Sequence, residues 1–152
     1  MKKIFAVCAL FCLSLPALAT EPYAVRFKTQ GDFSFVRDSL QTAIEGKGLK
    51  INHTNLIAEM LERTGKDLGA TKQIFTHGEQ FEFCSATISR AMMEADPHAI
   101  VMCPYNIAVY TLPGDASVYI SYRKPAATRN PALKKALDEV EKLLTEIIQD
   151  AL

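Results

Sequence analysis

Apolar and polar side chains alternate in several short stretches of the chain, and this period of two predicts β-strands. Separate strands are expected at residues 23–28, 49–53 and 80–84. A hairpin is expected at residues 107–112 and 117–122, because a Pro-Gly-Asp turn sequence separates these two stretches. One hairpin face carries Ile107, Val109, Val118 and Ile120, and the other carries Ala108, Tyr110, Tyr119 and Ser121. The first face is therefore expected in the core.

Apolar side chains recur three and four positions apart in four other stretches, which predicts amphipathic α-helices. Capping and stop residues for the first three helices are Asp32 or Ser34 with Gly46 and Gly48, Thr54 or Asn55 with Gly65, and Ser85 or Thr87 with Asp96-Pro97. The last helix starts at the capping Asn130, with Pro131 at its first position. The last helix has the most regular stripe, formed by Leu133, Leu137, Val140, Leu144, Ile147 and Ala151. We expect this stripe to pack on the sheet, with pairing across a dimer as the alternative.

Strands and helices interleave, and a hairpin and a final helix close the chain. This order predicts a two-layer α+β fold, with a mostly antiparallel sheet covered by helices and a C-terminal amphipathic helix. Residues 66–78 carry no clear pattern and are assigned to a loop with room for one more helical turn. The apolar run at 100–112 is long for one strand, and a bend or edge position is expected at Cys103-Pro104 because proline cannot donate to a sheet.

The first 19 residues have the pattern of a secretory signal peptide. Lys2 and Lys3 precede an apolar run at residues 4–15, and Ala17-Leu18-Ala19 supplies small residues before a cleavage point. The run is shorter than the roughly 20 residues that a membrane-spanning helix needs. We therefore expect cleavage before Thr20, a single α+β domain at residues 20–152, a periplasmic location and no membrane insertion.

Charge and motifs exclude several classes of function. The chain has 17 basic and 17 acidic residues, so it lacks the basic footprint of a nucleic-acid-binding protein, and nucleic acid is not expected as a partner. His53, His77 and His98 lack the spacing of a zinc site, and no metal is expected. No nucleophile elbow, phosphate-binding loop or dinucleotide fingerprint occurs either. The sequence identifies no cofactor.

Cys84 and Cys103 are the cysteines that remain after removal of residues 1–19. In an oxidising compartment, two cysteines indicate first a structural disulfide. Cys84 also lies just before a predicted helix, where the helix dipole favours a thiolate, so a functional thiol pair is a second interpretation. Two reduced, unbonded cysteines are a third.

The predicted strands also carry candidate binding residues. His53 ends a short strand, where its imidazole can reach a cleft or bond a backbone carbonyl. Four tyrosines lie in or near the hairpin, at positions 105, 110, 119 and 122. Aromatic rings with a polar tip suit a binding cleft or a dimer seam, although packing within a sheet explains them equally well.

The order of short motifs resembles the bacterial domain-of-unknown-function family 302 over roughly residues 23–150. These motifs are His53, a helix with Gly65, Phe83-Cys84-Ser85-Ala86 before a helix with Met92-Met93, Cys103-Pro104, Ile107-Ala108-Val109-Tyr110 and Val118-Tyr119-Ile120-Ser121-Tyr122. The resemblance implies a small α+β fold that commonly forms a homodimer, without an established biochemical activity. It also matches His53 to the family's histidine, which supports a site role for that residue.

The chain departs from the usual family pattern at both cysteines. Cys84-Ser85-Ala86 stands where Gly-Asn-Pro is usual, and Cys103-Pro104 stands where Leu-Pro is usual. The chain therefore resembles an exported, cysteine-bearing branch of the family. Both changes place a thiol at a turn, which fits a disulfide between neighbouring turns and also fits a redox or ligand-holding pair.

Three functions fit the sequence. The first is a non-catalytic binding module for a small ligand or cofactor, with a cleft lined by His53, Cys84, Tyr105 and Tyr110. The second is a thiol-disulfide redox protein, with Cys84 as the exposed sulfur and Cys103 as its resolving partner. The third is a structural dimerisation partner for another exported protein.

Overall fold

The computed structural model describes residues 23–152, so the predicted signal peptide and its cleavage point lie outside the described residues. The strands are β1 (Ala24–Gln30), β2 (Ile51–Asn55), β3 (His77–Phe83), β4 (Tyr105–Thr111) and β5 (Ser117–Arg123). The α-helices are α1 (Phe33–Gly46), α2 (Ile57–Asp67), α3 (Ala86–Ala95) and α4 (Pro131–Ala151), and a 3-10 helix spans Pro97–Met102. The predicted α+β class is confirmed.

The five strands form one antiparallel sheet in the order β1-β5-β4-β3-β2. In the β4–β5 hairpin, Ile107 pairs with Tyr122 and Val109 with Ile120. Alternation along the strands gives the sheet two faces, and the face with these four residues is buried. The hairpin and its core-facing residues are therefore confirmed.

Helices α1, α3 and α4 pack on this face, which we call the covered face. The core contains their buried side chains together with Phe81 and Phe83 of β3. The α4 stripe is buried within the single chain, from Leu133 to Ile148. The expected packing of α4 on the sheet is thus confirmed, and its stripe is not free to pair across a dimer.

Helix α2 lies on the opposite face, which we call the open face. Gly78 of β3 is buried there, and a Cβ built on it would come within 3.4 Å of the Ala58 Cβ and 3.6 Å of the Phe75 ring. A glycine at this position therefore lets α2 approach the sheet closely. The expectation that helices cover one face holds for α1, α3 and α4 but not for α2.

The predicted boundaries of α2 were wrong at both ends. Thr54 and Asn55 lie in β2, and the helix begins after Leu56, which makes no side-chain capping bond. The helix continues past Gly65, because a glycine inside a helix costs only about 1 kcal/mol. The chain turns at Gly69, which has φ of 68° and donates its N–H to the Lys66 carbonyl oxygen.

The run at residues 100–112 contains two elements. Its first part belongs to the 3-10 helix, which the sequence pattern did not predict. Asp96 starts this helix by accepting the His98 N–H at 2.9 Å, and Pro97 occupies its first turn. Strand β4 begins after the bend at Cys103-Pro104, where the peptide bond is cis, in agreement with the expected bend.

Candidate functional site

The structure separates the four residues predicted to bind a ligand. His53 is exposed on edge strand β2 and lies opposite Glu82 on the open face. Tyr110 also lies on the open face, but it pairs with Gly78, four residues along β3 from Glu82. Strand spacing places the backbones of His53 and Tyr110 about 17 Å apart. These two residues therefore do not share one small cleft.

Cys84 and Tyr105 lie at the same end of the sheet as His53. Cys84 directly follows β3, two residues beyond Glu82. Tyr105 pairs with Phe83 on the covered face and is only 4% exposed. Tyr105 and Tyr110 therefore face opposite sides of the sheet. They lie an odd number of residues apart in β4, and such a spacing places two side chains of a strand on opposite faces. The prediction that grouped all four tyrosines overlooked this.

Cys84 and Cys103 lie at disulfide-bonding distance, with their sulfur atoms 2.11 Å apart and their Cα atoms 6.4 Å apart. The bridge joins the end of β3 to the segment before β4, across α3 and the 3-10 helix. Both cysteines are half-buried. The cysteine pairing expected from the sequence is present in the structure.

A buried polar pair lies next to the bridge. The Ser89 hydroxyl is 3.0 Å from the Tyr105 hydroxyl and 3.6 Å from the Cys103 sulfur. Ser89 and Tyr105 are both buried, and burial raises the pKa of Tyr105 although its bond to Ser89 opposes the shift. Tyr105 therefore stays protonated and can donate to Ser89, which can donate in turn to sulfur.

A row of aromatic rings crosses the open face. The rings of Tyr110 and Tyr119 stack with centroids 5.4 Å apart, and Phe75 meets Tyr110 edge-on at 5.5 Å. The Lys28 ammonium lies 5.5 Å from the centre of the Tyr119 ring. We call Phe75, Tyr110 and Tyr119 the aromatic row; it fixes Phe75, which belongs to the segment after α2.

Asp115 anchors the far end of the aromatic row. Its carboxylate accepts the Tyr119 hydroxyl and the Ser117 backbone N–H. These bonds, the first of them most strongly, lower the pKa of Asp115 to about 2. The carboxylate therefore stays charged at neutral pH and holds Tyr119 in place.

A cleft of about 260 Å³ lies beside Phe75, between α2 and residues 70–75. Its lining includes the apolar residues Leu61, Ile74 and Phe75. Its polar rim includes Glu62, Lys66 and Lys72. The volume is just below the roughly 300–1,000 Å³ of typical ligand sites, so it suits a small molecule.

Two parts of this arrangement were missed from the sequence. Phe75 lies in the stretch assigned to a loop, where no periodic pattern marks it. Ser89 lies inside α3, and only its position four residues after the capping Ser85 indicates that it faces the protein. The presence of Ile74 and Phe75 together in a polar loop was the one available signal for the cleft.

The described part of the chain contains neither a cluster of metal-binding side chains nor a membrane-spanning helix. Among residues 23–152, no group of three or more His, Cys, Asp and Glu side chains is placed to bind a metal ion. None of the helices found in this range has the length and apolarity to cross a membrane.

Comparison with known proteins identifies the fold. A crystal structure of an uncharacterised conserved DUF302 protein from Bacillus stearothermophilus is similar, with a TM-score of 0.73 and 15% identity. The match covers 87% of this chain and 100% of that one. No curated protein shows significant sequence similarity. The family model for the domain of unknown function DUF302 matches residues 25–151, and the chain therefore belongs to the DUF302 family.

Proposed function

We propose that the protein is an exported, non-catalytic binding module whose small ligand occupies the cleft between α2 and residues 70–75. The observation that carries the proposal is that Phe75 lines the cleft while Tyr110 contacts its ring edge-on at 5.5 Å. Because Tyr110 holds the Phe75 ring in place, little conformational freedom is lost when a ligand binds against it. Tyr110 then contributes indirectly, by supporting Phe75.

The cleft favours a small organic anion with an apolar part. Lys66 lies 3.5 Å from Glu62, and Lys72 adds a second positive charge to the rim. Two lysines and one glutamate leave one net positive charge near the apolar residues Leu61, Ile74 and Phe75. A ligand with one carboxylate or sulfonate and a hydrocarbon body matches this combination.

Binding of the anionic probe 8-anilinonaphthalene-1-sulfonate tests this function. We expect saturable fluorescence enhancement, and we expect Ala70→Trp to weaken it at least about tenfold by filling the cleft. Ala126→Trp is the matched control, because Ala126 lines a different surface hollow of about 210 Å³ beside α4. The control should bind the probe as the unmodified chain does.

Two results would count against the cleft. Equal loss in both tryptophan variants would mean that the probe binds nonspecifically. Loss of binding in His53→Ala, with Ala70→Trp unaffected, would place the ligand at the other end of the sheet instead.

Thiol-disulfide exchange is a second candidate function, and the exposed apolar surface before Cys103 supports it. Ile100 is 61% exposed and Val101 77% exposed, both in the 3-10 helix between the two cysteines. Apolar side chains beside a half-buried disulfide can bind a peptide whose thiol attacks the bond. Exposure of these two apolar side chains does not stabilise the fold, which favours a role in contact with another molecule.

Equilibration of the oxidised chain with glutathione buffers tests the exchange function. A bond that equilibrates at about −200 mV would support exchange, whereas a potential below about −300 mV would mark a purely structural bridge. Alkylation of the free thiols followed by mass spectrometry measures the reduced fraction.

The homodimer and the structural-partner role stay predictions, to be checked by the mass of the protein in solution.

A further inference from the structure

The disulfide has different surroundings at its two sulfur atoms. The Ser89 hydroxyl lies 3.6 Å from Cys103 Sγ and 3.0 Å from the Tyr105 hydroxyl. We infer that Ser89 and Tyr105 are positioning residues that make Cys103 the leaving sulfur, so that an incoming thiol attacks Cys84. This inference rests on the exchange function proposed above.

The direction of the hydrogen bonds follows from the number of protons. Ser89 has one hydroxyl proton, and if it points to Cys103, the Ser89 oxygen is free to accept from Tyr105. Burial raises the pKa of Tyr105, which keeps its proton available for this bond. When Cys103 becomes a thiolate, the Ser89 bond becomes charge-assisted and therefore stronger.

The exchange step balances as follows. The thiolate of a glutathione molecule attacks Cys84 Sγ, and a new sulfur–sulfur bond forms while the Cys84–Cys103 bond breaks. The electron pair of the broken bond moves to Cys103, which leaves as a thiolate held by Ser89. A second glutathione thiolate then attacks the mixed disulfide, releases the Cys84 thiolate and forms oxidised glutathione.

The α3 N-terminus opposes this preference, since its dipole favours a thiolate at Cys84. Cys84 lies before the capping Ser85 and thus outside the first turn, where the dipole acts most strongly. The Ser85 hydroxyl already accepts the Ile88 N–H in the capping bond. A direct hydrogen bond from a buried hydroxyl outweighs a partly screened dipole, so Cys103 is the better leaving group.

Mapping of the mixed disulfide tests the inference. The oxidised full chain is treated briefly with glutathione, quenched with acid and analysed by peptide mass spectrometry. We expect glutathione on Cys84 in about fivefold or greater excess over Cys103, and we expect Ser89→Ala to slow the first step about fivefold and to reduce the excess. Tyr105→Phe should act in the same direction with a smaller effect. Thr87→Ala, an exposed change on the same helix, is the control.

A second measurement separates failure of this inference from failure of the exchange function. If glutathione does not reduce the bond, the exchange function fails, and the alkylation pH profile of Cys103 is measured in Cys84→Ser. Adding Ser89→Ala should then raise the midpoint by about 0.7 pH unit, the equivalent of a fivefold change. Glutathione found mainly on Cys103, or a midpoint unchanged by Ser89→Ala, would overturn the inference.

Discussion

Phe83→Ala is expected to lower the free energy of unfolding by about 3–5 kcal/mol, the usual cost of removing a fully buried phenylalanine ring. Phe83 is 0% exposed and lies on the covered face. Its ring meets Tyr105 edge-on with centroids 6.3 Å apart, so its loss leaves a cavity next to the Ser89–Tyr105 pair. The loss is a large fraction of the about 5–15 kcal/mol that stabilises a typical domain. Urea denaturation followed by circular dichroism measures it.

Phe35→Ala supplies the matched control, because it removes the same ring from a surface position. Phe35 lies in α1 and is 72% exposed. Its replacement should change the unfolding free energy by no more than about 0.5 kcal/mol. Similar losses in the two variants would mean that Phe83 is not part of the core as described.

Short-range sequence patterns predicted the buried face of the hairpin and the start of α4. The period of two in the hairpin assigned Val109 and Ile120 to the buried face because a register error would have exposed both. The capping sequence Asn130-Pro131 marked the start of α4, where the Asn130 side chain accepts the Ala132 and Leu133 N–H groups. These signals act within a few residues and need no knowledge of the tertiary structure.

The position of α2 could not be predicted in this way. Its apolar side chains indicated a helix, but the face on which it packs depends on Gly78, 20 positions beyond Ala58 in the sequence. A buried glycine in a strand indicates that another part of the chain approaches closely, but it does not identify that part. The cleft beside α2 was missed for the same reason.

The cysteine pair was predicted together with its contact, whereas Tyr105 and Tyr110 were predicted as site residues without the contacts they make. Two cysteines in a chain expected to be exported are few enough to pair by counting, and their proximity is found. Ser89 and Phe75 belong to residue types that occur throughout proteins, and their roles arise from contacts with distant Tyr105 and Tyr110. Sequence spacing carries no information about such contacts.

Replacement of both Cys84 and Cys103 by alanine is expected to lower the unfolding free energy by about 3 kcal/mol. The two positions are 19 apart, and opening a loop of this size restores chain entropy of about that amount to the unfolded state. In a domain of this length, the melting temperature should fall by about 10 °C. Calorimetry of the unmodified and double-alanine chains measures the difference.

Reduction of the unmodified chain offers an independent route to the same value. The reduced protein should melt within about 2 °C of the double-alanine variant, because both lack the same cross-link. Reduction should leave the double-alanine variant itself unchanged. A double-alanine variant as stable as the oxidised chain would contradict a stabilising bridge.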